Sequence, residues 1–413
     1  MTQSLEDVMF TVRVPPFSAE EFITAWNDAF NAKVRQMPHL AVRSLHTIVG
    51  LCLSHVTISY RGDCTDMRDS SILMQDSGTG KKPTLQFVEK MADLLSYSNS
   101  RRSNITPAGA VGTIRLKNSE PVQYEGDLKK YDLVTCAEAD SILYTKIDSF
   151  GNDLLTNISK SQDASNKISR RLAEGVVEPY SSKTSLFLTT TVPPRLDWKD
   201  QRWFDKGLFQ RFGVAIKEIP LETYKSVRDE LVDSVGESCE GNDRAIEELA
   251  KELDRKRKAC GTPEFAFSAE VKETIIESCH SLDRMLEGMK NEAILNITKS
   301  FTIRRDLKMI TYACHHAWLD NRQELCAADV DYGFEVSKQS WNDVLNFVGR
   351  KTSKVSSCKD AIVRLLSDGN TRASADFYKE LCDRFSKENI RYHLSQLTAM
   401  NAIKRIDKDQ YKM

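Results

Sequence analysis

The sequence predicts an α/β fold: a three-layer domain built on a parallel sheet, then a helical region, then a small last domain. Three observations carry this. Over residues 68–235, short apolar runs at 71–74, 131–140 and 185–191 alternate with helical patterns. The first run leads straight into a Gly-rich turn, and a helical pattern follows over 85–95. Residues 358–413 hold three helical patterns and two short strands.

Composition narrows the classes. The 413 residues are 40% hydrophobic and 28% charged, a globular profile long enough for two or three domains. Net charge is −1, so any nucleic-acid surface has to be local. The 10 cysteines are scattered with no C-x-x-C pair, which argues against a zinc site or a disulfide framework and for a reducing, intracellular setting. No apolar run approaches a membrane span, and the N-terminus lacks a signal-peptide core.

Residues 1–60 read as a helical lead-in. Val8, Phe10, Val12 and Val14 alternate up to Pro15-Pro16, Ser18-Ala-Glu-Glu-Phe reads as a capped helix start, and 45–56 is strongly apolar.

The core, 61–236, begins with Ile72-Leu-Met-Gln-Asp-Ser-Gly-Thr-Gly-Lys-Lys-Pro-Thr84. Strand, glycine loop, lysine and helix in that order suit a phosphate cradle: loop N–H groups and the helix N-terminus face the anion, and the lysine adds charge. Against G-x-x-x-x-G-K-[ST], Gly80 and Lys81 fit. Gln75 replaces the first glycine, and Lys82 replaces the Mg²⁺-binding hydroxyl. Asp76, Ser77, Gly78, Thr79, Gly80, Lys81 and Lys82 are the candidate phosphate-binding residues; an ordinary Gly-containing turn is the alternative.

Ligands in open α/β sheets sit at the carboxyl ends of the strands. The run at 131–140 ends in Glu138 and Asp140. A glutamate there can orient water for attack on a phosphate; the alternative is the solvated start of a helix. The run at 185–191 ends in hydroxyls. Between them lie a polar helix at 152–161 and Lys167, Arg170, Arg171 and Gly175-Val-Val, read as a basic hairpin. Arg211 stands just before a further strand, where it can reach phosphates in a neighbouring subunit or simply face solvent.

Residues 237–349 read as helical, a natural lid over a nucleotide. Residues 237–260 are a charged helix whose basic end, 255–258, faces solvent or touches phosphates, and Arg304 or Arg305 can sense phosphates. His315 and His316 are adjacent, so they point to different faces and read as packing or surface residues. Residues 350–357 read as a basic linker. Residues 358–413 read as a winged helix whose third helix offers Lys387, Asn389, Arg391, Tyr392 and His393 to the major groove; protein contact is the alternative. Residues 355–413 hold eleven Lys/Arg against eight Asp/Glu, or +3.

In order and spacing, these segments resemble the AAA+ ATPases of the minichromosome maintenance (MCM) replicative helicases, over roughly residues 45–413. Residues 72–82 resemble Walker A, 103–111 the segment leading into the helix-2 insert, and 133–140 Walker B. Residues 170–177 and 186–193 resemble the presensor hairpin and the sensor-1 strand. Leu208-Phe-Gln-Arg-Phe-Gly resembles the arginine-finger motif, and 302–317 the sensor-2 helix. The resemblance implies an AAA+ P-loop NTPase core with helical lid and winged helix, binding ATP with Mg²⁺. Glu138, Arg211 and Arg304 would be its catalytic residues, and Lys167, Arg170 and Arg171 its DNA contacts in a hexamer-type ring of identical or related subunits. The place implied is cytoplasm or nucleoid, or the nucleus in a eukaryote.

The departures are specific. Lys82 replaces the Mg²⁺-binding Ser/Thr, and Ala137 the Mg²⁺-coordinating Asp. Val192 replaces the sensor-1 Asn, Ala173 replaces the hairpin lysine, and the N-terminal OB and zinc-binding region is missing. Three functions follow as expectations: a DNA-dependent ATPase of the helicase type in replication, a non-hydrolysing MCM-derived DNA-binding or assembly subunit, or an initiator of the AAA+ plus winged-helix type.

Overall fold

The computed structural model describes residues 17–412 except 36, 61–62, 119, 144–152, 164, 193–202, 205, 234–239, 288–303, 367–370, 383–384, 400–402 and 408. The alternating stretch 8–14 and Val192's successors Pro193-Pro194 lie outside them. The chain forms two compact units, the second comprising mainly 345–412.

The first unit is an α/β domain on a five-stranded parallel sheet. Its strands are β3 (Ser71–Gln75), β4 (Asn99–Arg102), β7 (Leu133–Cys136), β10 (Ser185–Thr190) and β11 (Gly213–Lys217), in the order β11-β3-β10-β7-β4. Every residue of β3, β7 and β10 is buried, as expected for a parallel sheet covered on both faces. β4, at one edge of the sheet, was not foreseen, because Asn-Ser-Arg-Arg has no apolar run. Its Arg101 pairs with Glu89, and Arg102 pairs with Asp127 at 2.7 Å.

The lead-in packs on this same unit. Helix α1 (Ala19–Asn31) starts in a capping box between Ser18 and Glu21. Its Trp26 is fully buried, donates to the Ala41 carbonyl at 3.2 Å, and meets the edge of Phe87 at 5.1 Å. Phe87 belongs to α3 (Lys81–Leu94), and α2 (Pro38–Cys52) lies between α1 and α3 in the chain. Thus the lead-in braces the helix that carries Lys81.

A short antiparallel pair, β1 (Thr57–Tyr60) with β2 (Asp63–Asp66), precedes the sheet, and two longer hairpins complete the core: β5 (Gly112–Lys117) with β6 (Glu120–Glu125), and β8 (Ile168–Leu172) with β9 (Gly175–Tyr180). The charged helix spans Glu240–Cys260. Its basic end does not all face solvent: Lys256 is buried and donates to the Phe17 and Leu319 carbonyls at 2.8 and 2.6 Å. His315, on the helix Arg305–Leu319, is fully buried, whereas His316 bonds Asp329 at 2.6 Å.

The second unit holds helices Ser374–Leu381 and Lys387–Ala399 and a three-stranded sheet of β12 (Arg372–Ala373), β14 (Gln410–Lys412) and β13 (Lys404–Asp407). Cys358, Phe377, Ile390, Leu394 and Tyr411 form its core. Residues 350–357, read as a linker, are helical, inside the helix Ala327–Leu366. They contain neither Gly nor Pro to stop the preceding helix. Among the described residues, no helix is long and apolar enough to cross a membrane.

Candidate functional site

β3 ends at Gln75, and the chain turns through Gly78 (φ +78°) and Gly80 (φ +85°) into α3. Both glycines hold left-handed backbone, the region an L side chain disfavours. At Gly80 a Cβ would also approach Val34 to 2.7 Å. Gln75, standing where the motif has glycine, is buried and has work to do: its amide donates to the Thr79 carbonyl inside the loop, and its oxygen meets His39 Nε2 at 2.6 Å. Burial pushes His39 down to about 4, so the ring is neutral.

Lys81 opens α3. Its ammonium donates to the Gln75 carbonyl at 2.6 Å and the Thr190 carbonyl at 3.1 Å, bridging the ends of β3 and β10. Burial pushes it below its ordinary value, against the pull of Asp140, Asp76 and Glu138. These strand ends and the loop line a cleft of about 430 Å³ with Ser77, Lys82, Ala137, Glu138, Asp140 and Thr189–Thr191. Lys33 and Arg35, from the α1–α2 connection, close it on one side, and Val227 joins from the helix Leu221–Asp233. Neither Lys33 nor Arg35 was foreseen; no local pattern ties them to a loop some forty residues on.

The opposing wall is tied to β10 by hydroxyls. Thr189 Oγ1 donates to the Ala137 carbonyl at 2.9 Å, and Thr190 Oγ1 donates to Asp140 Oδ1 at 2.6 Å. Glu138 is exposed on the cleft. Asp76, expected among the phosphate-binding residues, does not line it: its carboxylate accepts the Ile219 N–H at 2.8 Å.

Arg211 and Arg304 do not line the cleft either. Both bind Asp163, which sequence reasoning did not single out. Arg211 Nη2 meets Oδ2 at 2.8 Å, and Arg304 Nη1 meets Oδ1 at 2.8 Å. Asn166 adds a third donor at 2.7 Å.

The hairpins lie side by side: Tyr180 OH donates to the Val111 carbonyl at 3.1 Å, and the Glu178 N–H to Gln123 at 3.0 Å. Of the expected hairpin contacts, Lys167 and Arg171 are exposed, but Arg170 is half-buried and donates to the Gly112 carbonyl at 3.4 Å. Arg115 stands over the exposed Tyr124 ring at 5.7 Å. On the helix Lys387–Ala399, Lys387, Arg391 and Tyr392 are exposed and Asn389 is half-buried. His393, expected at the same surface, is 2% exposed and belongs to the interior.

No family model matches this chain, and no curated protein matches it.

Two positions of the cleft cannot ligate Mg²⁺, and Glu138 and Asp140 are the carboxylates that line it. Where the cleft would present a hydroxyl and a carboxylate to the ion, it presents the Lys82 ammonium and the Ala137 methyl, neither of which can ligate it.

Proposed function

We propose that this chain is an MCM-like AAA+ protein of DNA replication. It binds ATP in the Lys81 cleft, assembles with copies of itself or related subunits into a ring, and holds DNA on its hairpins and its C-terminal winged helix. One observation carries the nucleotide reading: a left-handed glycine loop delivers Lys81 to the carboxyl edge of a parallel sheet, beside Glu138 and the threonines of β10. The segments resembling Walker A, sensor 1 and Walker B occupy adjacent strands, β3, β10 and β7. Arg211 and Arg304 meet away from this cleft, which fits a role toward a neighbouring subunit's nucleotide.

In the DNA reading, Lys167, Arg171 and Arg115 supply phosphate contacts, and exposed Tyr124 supplies a stacking face. Lys387 and Arg391 do the same on the second unit.

A second reading, a non-hydrolysing assembly subunit, is favoured by Lys82 and Ala137, which remove both protein contacts to Mg²⁺. ATP hydrolysis with and without single-stranded DNA separates the two, beside Lys81→Ala and Glu138→Gln. DNA-stimulated turnover lost in both variants establishes the motor. DNA binding without turnover above those controls leaves the non-hydrolysing subunit.

A further inference from the structure

We infer that the Lys81 cleft takes its nucleoside triphosphate without a divalent cation, with the Lys82 ammonium standing where the metal would act. This rests on the nucleotide reading of the cleft and holds for either form of it.

The argument is one of charge. A triphosphate is strongly anionic, and a divalent ion ordinarily offsets much of that where the β- and γ-phosphates sit. Here Lys33, Arg35, Lys81 and Lys82 face the cleft, against Glu138 and Asp140. Lys81 is anchored on two carbonyls, and Asp140 is engaged by the Thr190 hydroxyl. Among the described residues, no carboxylate forms an ion pair with Arg35 or Lys82, and the carboxylate that Lys33 acts on, Asp243, is held by Lys90 at 2.6 Å.

The two substitutions are complementary. Lysine in place of a hydroxyl adds one positive charge, and alanine in place of a carboxylate removes one negative charge. Together they change the cleft by two positive charges, the charge of the missing ion. Each change alone would be awkward. Keeping the carboxylate without the metal would set it against the phosphates, and keeping the metal beside an ammonium would set two cations together. Lys82 is the second residue of α3, so its charge adds to that of the helix N-terminus. A lysine suits this role as a compact point charge on a flexible stem.

The experiment is calorimetric titration of ATP into the purified full-length chain, once with MgCl₂ and once with EDTA, for the wild type, Lys82→Ala and the double variant Lys82→Thr/Ala137→Asp. Affinity in the wild type is expected to agree within about threefold between the two buffers. Lys82→Ala, an exposed change, is expected to lose about tenfold or more in EDTA. The double variant is expected to bind only with Mg²⁺. A wild type that loses about tenfold or more on EDTA overturns the inference and leaves the nucleotide cleft standing. Failure to bind ATP in either buffer overturns the cleft reading and this inference with it. Circular dichroism of each variant separates lost binding from lost folding, and the wild-type comparison stands without either variant.

Discussion

Arg211 and Arg304 meet on a single carboxylate. Arg211 places Nε and Nη2 on Asp163 Oδ2 at 3.0 and 2.8 Å, and Arg304 places Nη1 on Oδ1 at 2.8 Å. Asp163 is 13% exposed and Arg211 15%, so this is a partly dry, charge-assisted cluster. Asp163 is therefore a positioning residue for two arginines that come from distant parts of the chain.

Replacing Asp163 by Ala leaves both guanidinium groups without this acceptor. Stability is expected to fall by about 1–3 kcal/mol, read from thermal or denaturant unfolding. Because the two arginines share the carboxylate, Arg211→Ala and Arg304→Ala are expected to be non-additive, with a coupling of about 0.5 kcal/mol or more in a double-mutant cycle. Additive losses would mean the shared carboxylate does not couple them.

Restoring the motif's glycine is expected to harm the protein. Gln75→Gly removes the amide that braces the Thr79 carbonyl and His39 and leaves both short of a buried partner. The expected cost is about 1–3 kcal/mol from these groups, with a further cost of about 0.5–1 kcal/mol for the added backbone freedom. An unchanged unfolding midpoint would contradict the bracing role.

Acid is expected to destabilise the first unit through a buried histidine relay. His315 Nε2 lies 2.8 Å from the Met67 carbonyl, which can only accept, so Nε2 carries the hydrogen. His315 Nδ1 must then accept from His46 Nδ1–H at 3.0 Å, and His46 Nε2 accepts from Tyr332 OH at 3.1 Å. A proton on His315 Nδ1 would set it against the His46 Nδ1–H, and a proton on either ring would place a charge among buried groups. Burial pushes His315 down to about 4 and His46 well below its ordinary value. The unfolded chain binds those protons near pH 6.5 and the folded chain does not. Stability is thus full above about pH 6.5 and falls as pH drops toward 4, by about 2 kcal/mol at pH 5 from His315 alone, with His46 adding to it. Unfolding midpoints at pH 7.5 and 5.0 check this, with His315→Gln reducing the difference and His46 and His39 keeping the rest.

The second unit's exposed cations are expected to act as phosphate contacts. Lys387→Ala and Arg391→Ala should each weaken DNA binding across unrelated sequences and reduce the salt slope by about one. His393→Ala should instead lower the stability of that unit, because the ring is buried. Equal DNA affinity in all variants would remove this helix from the interface.

The parts legible in the sequence were the local ones. β3, β7 and β10 announce themselves as buried apolar runs, and the loop announces itself through Gly78, Gly80 and Lys81. β4 is polar throughout, and β5–β6 carries exposed residues on both faces, so neither has a strand signature of its own. Asp163, Lys33 and Arg35 matter only through what the fold brings beside them. The helix through 350–357 was not read from the sequence, where basic and hydroxyl residues suggested a linker, although no Gly or Pro interrupts it.

The central claim is that the Lys81 cleft holds a nucleotide. Equilibrium binding of ATP to the purified full-length chain, beside Lys81→Ala and Gly80→Val, tests it most directly. The account predicts saturable binding to the wild type and a loss of about tenfold or more in both variants, with folding retained in Lys81→Ala. Equal binding by wild type and Lys81→Ala, or none by the wild type, would contradict it.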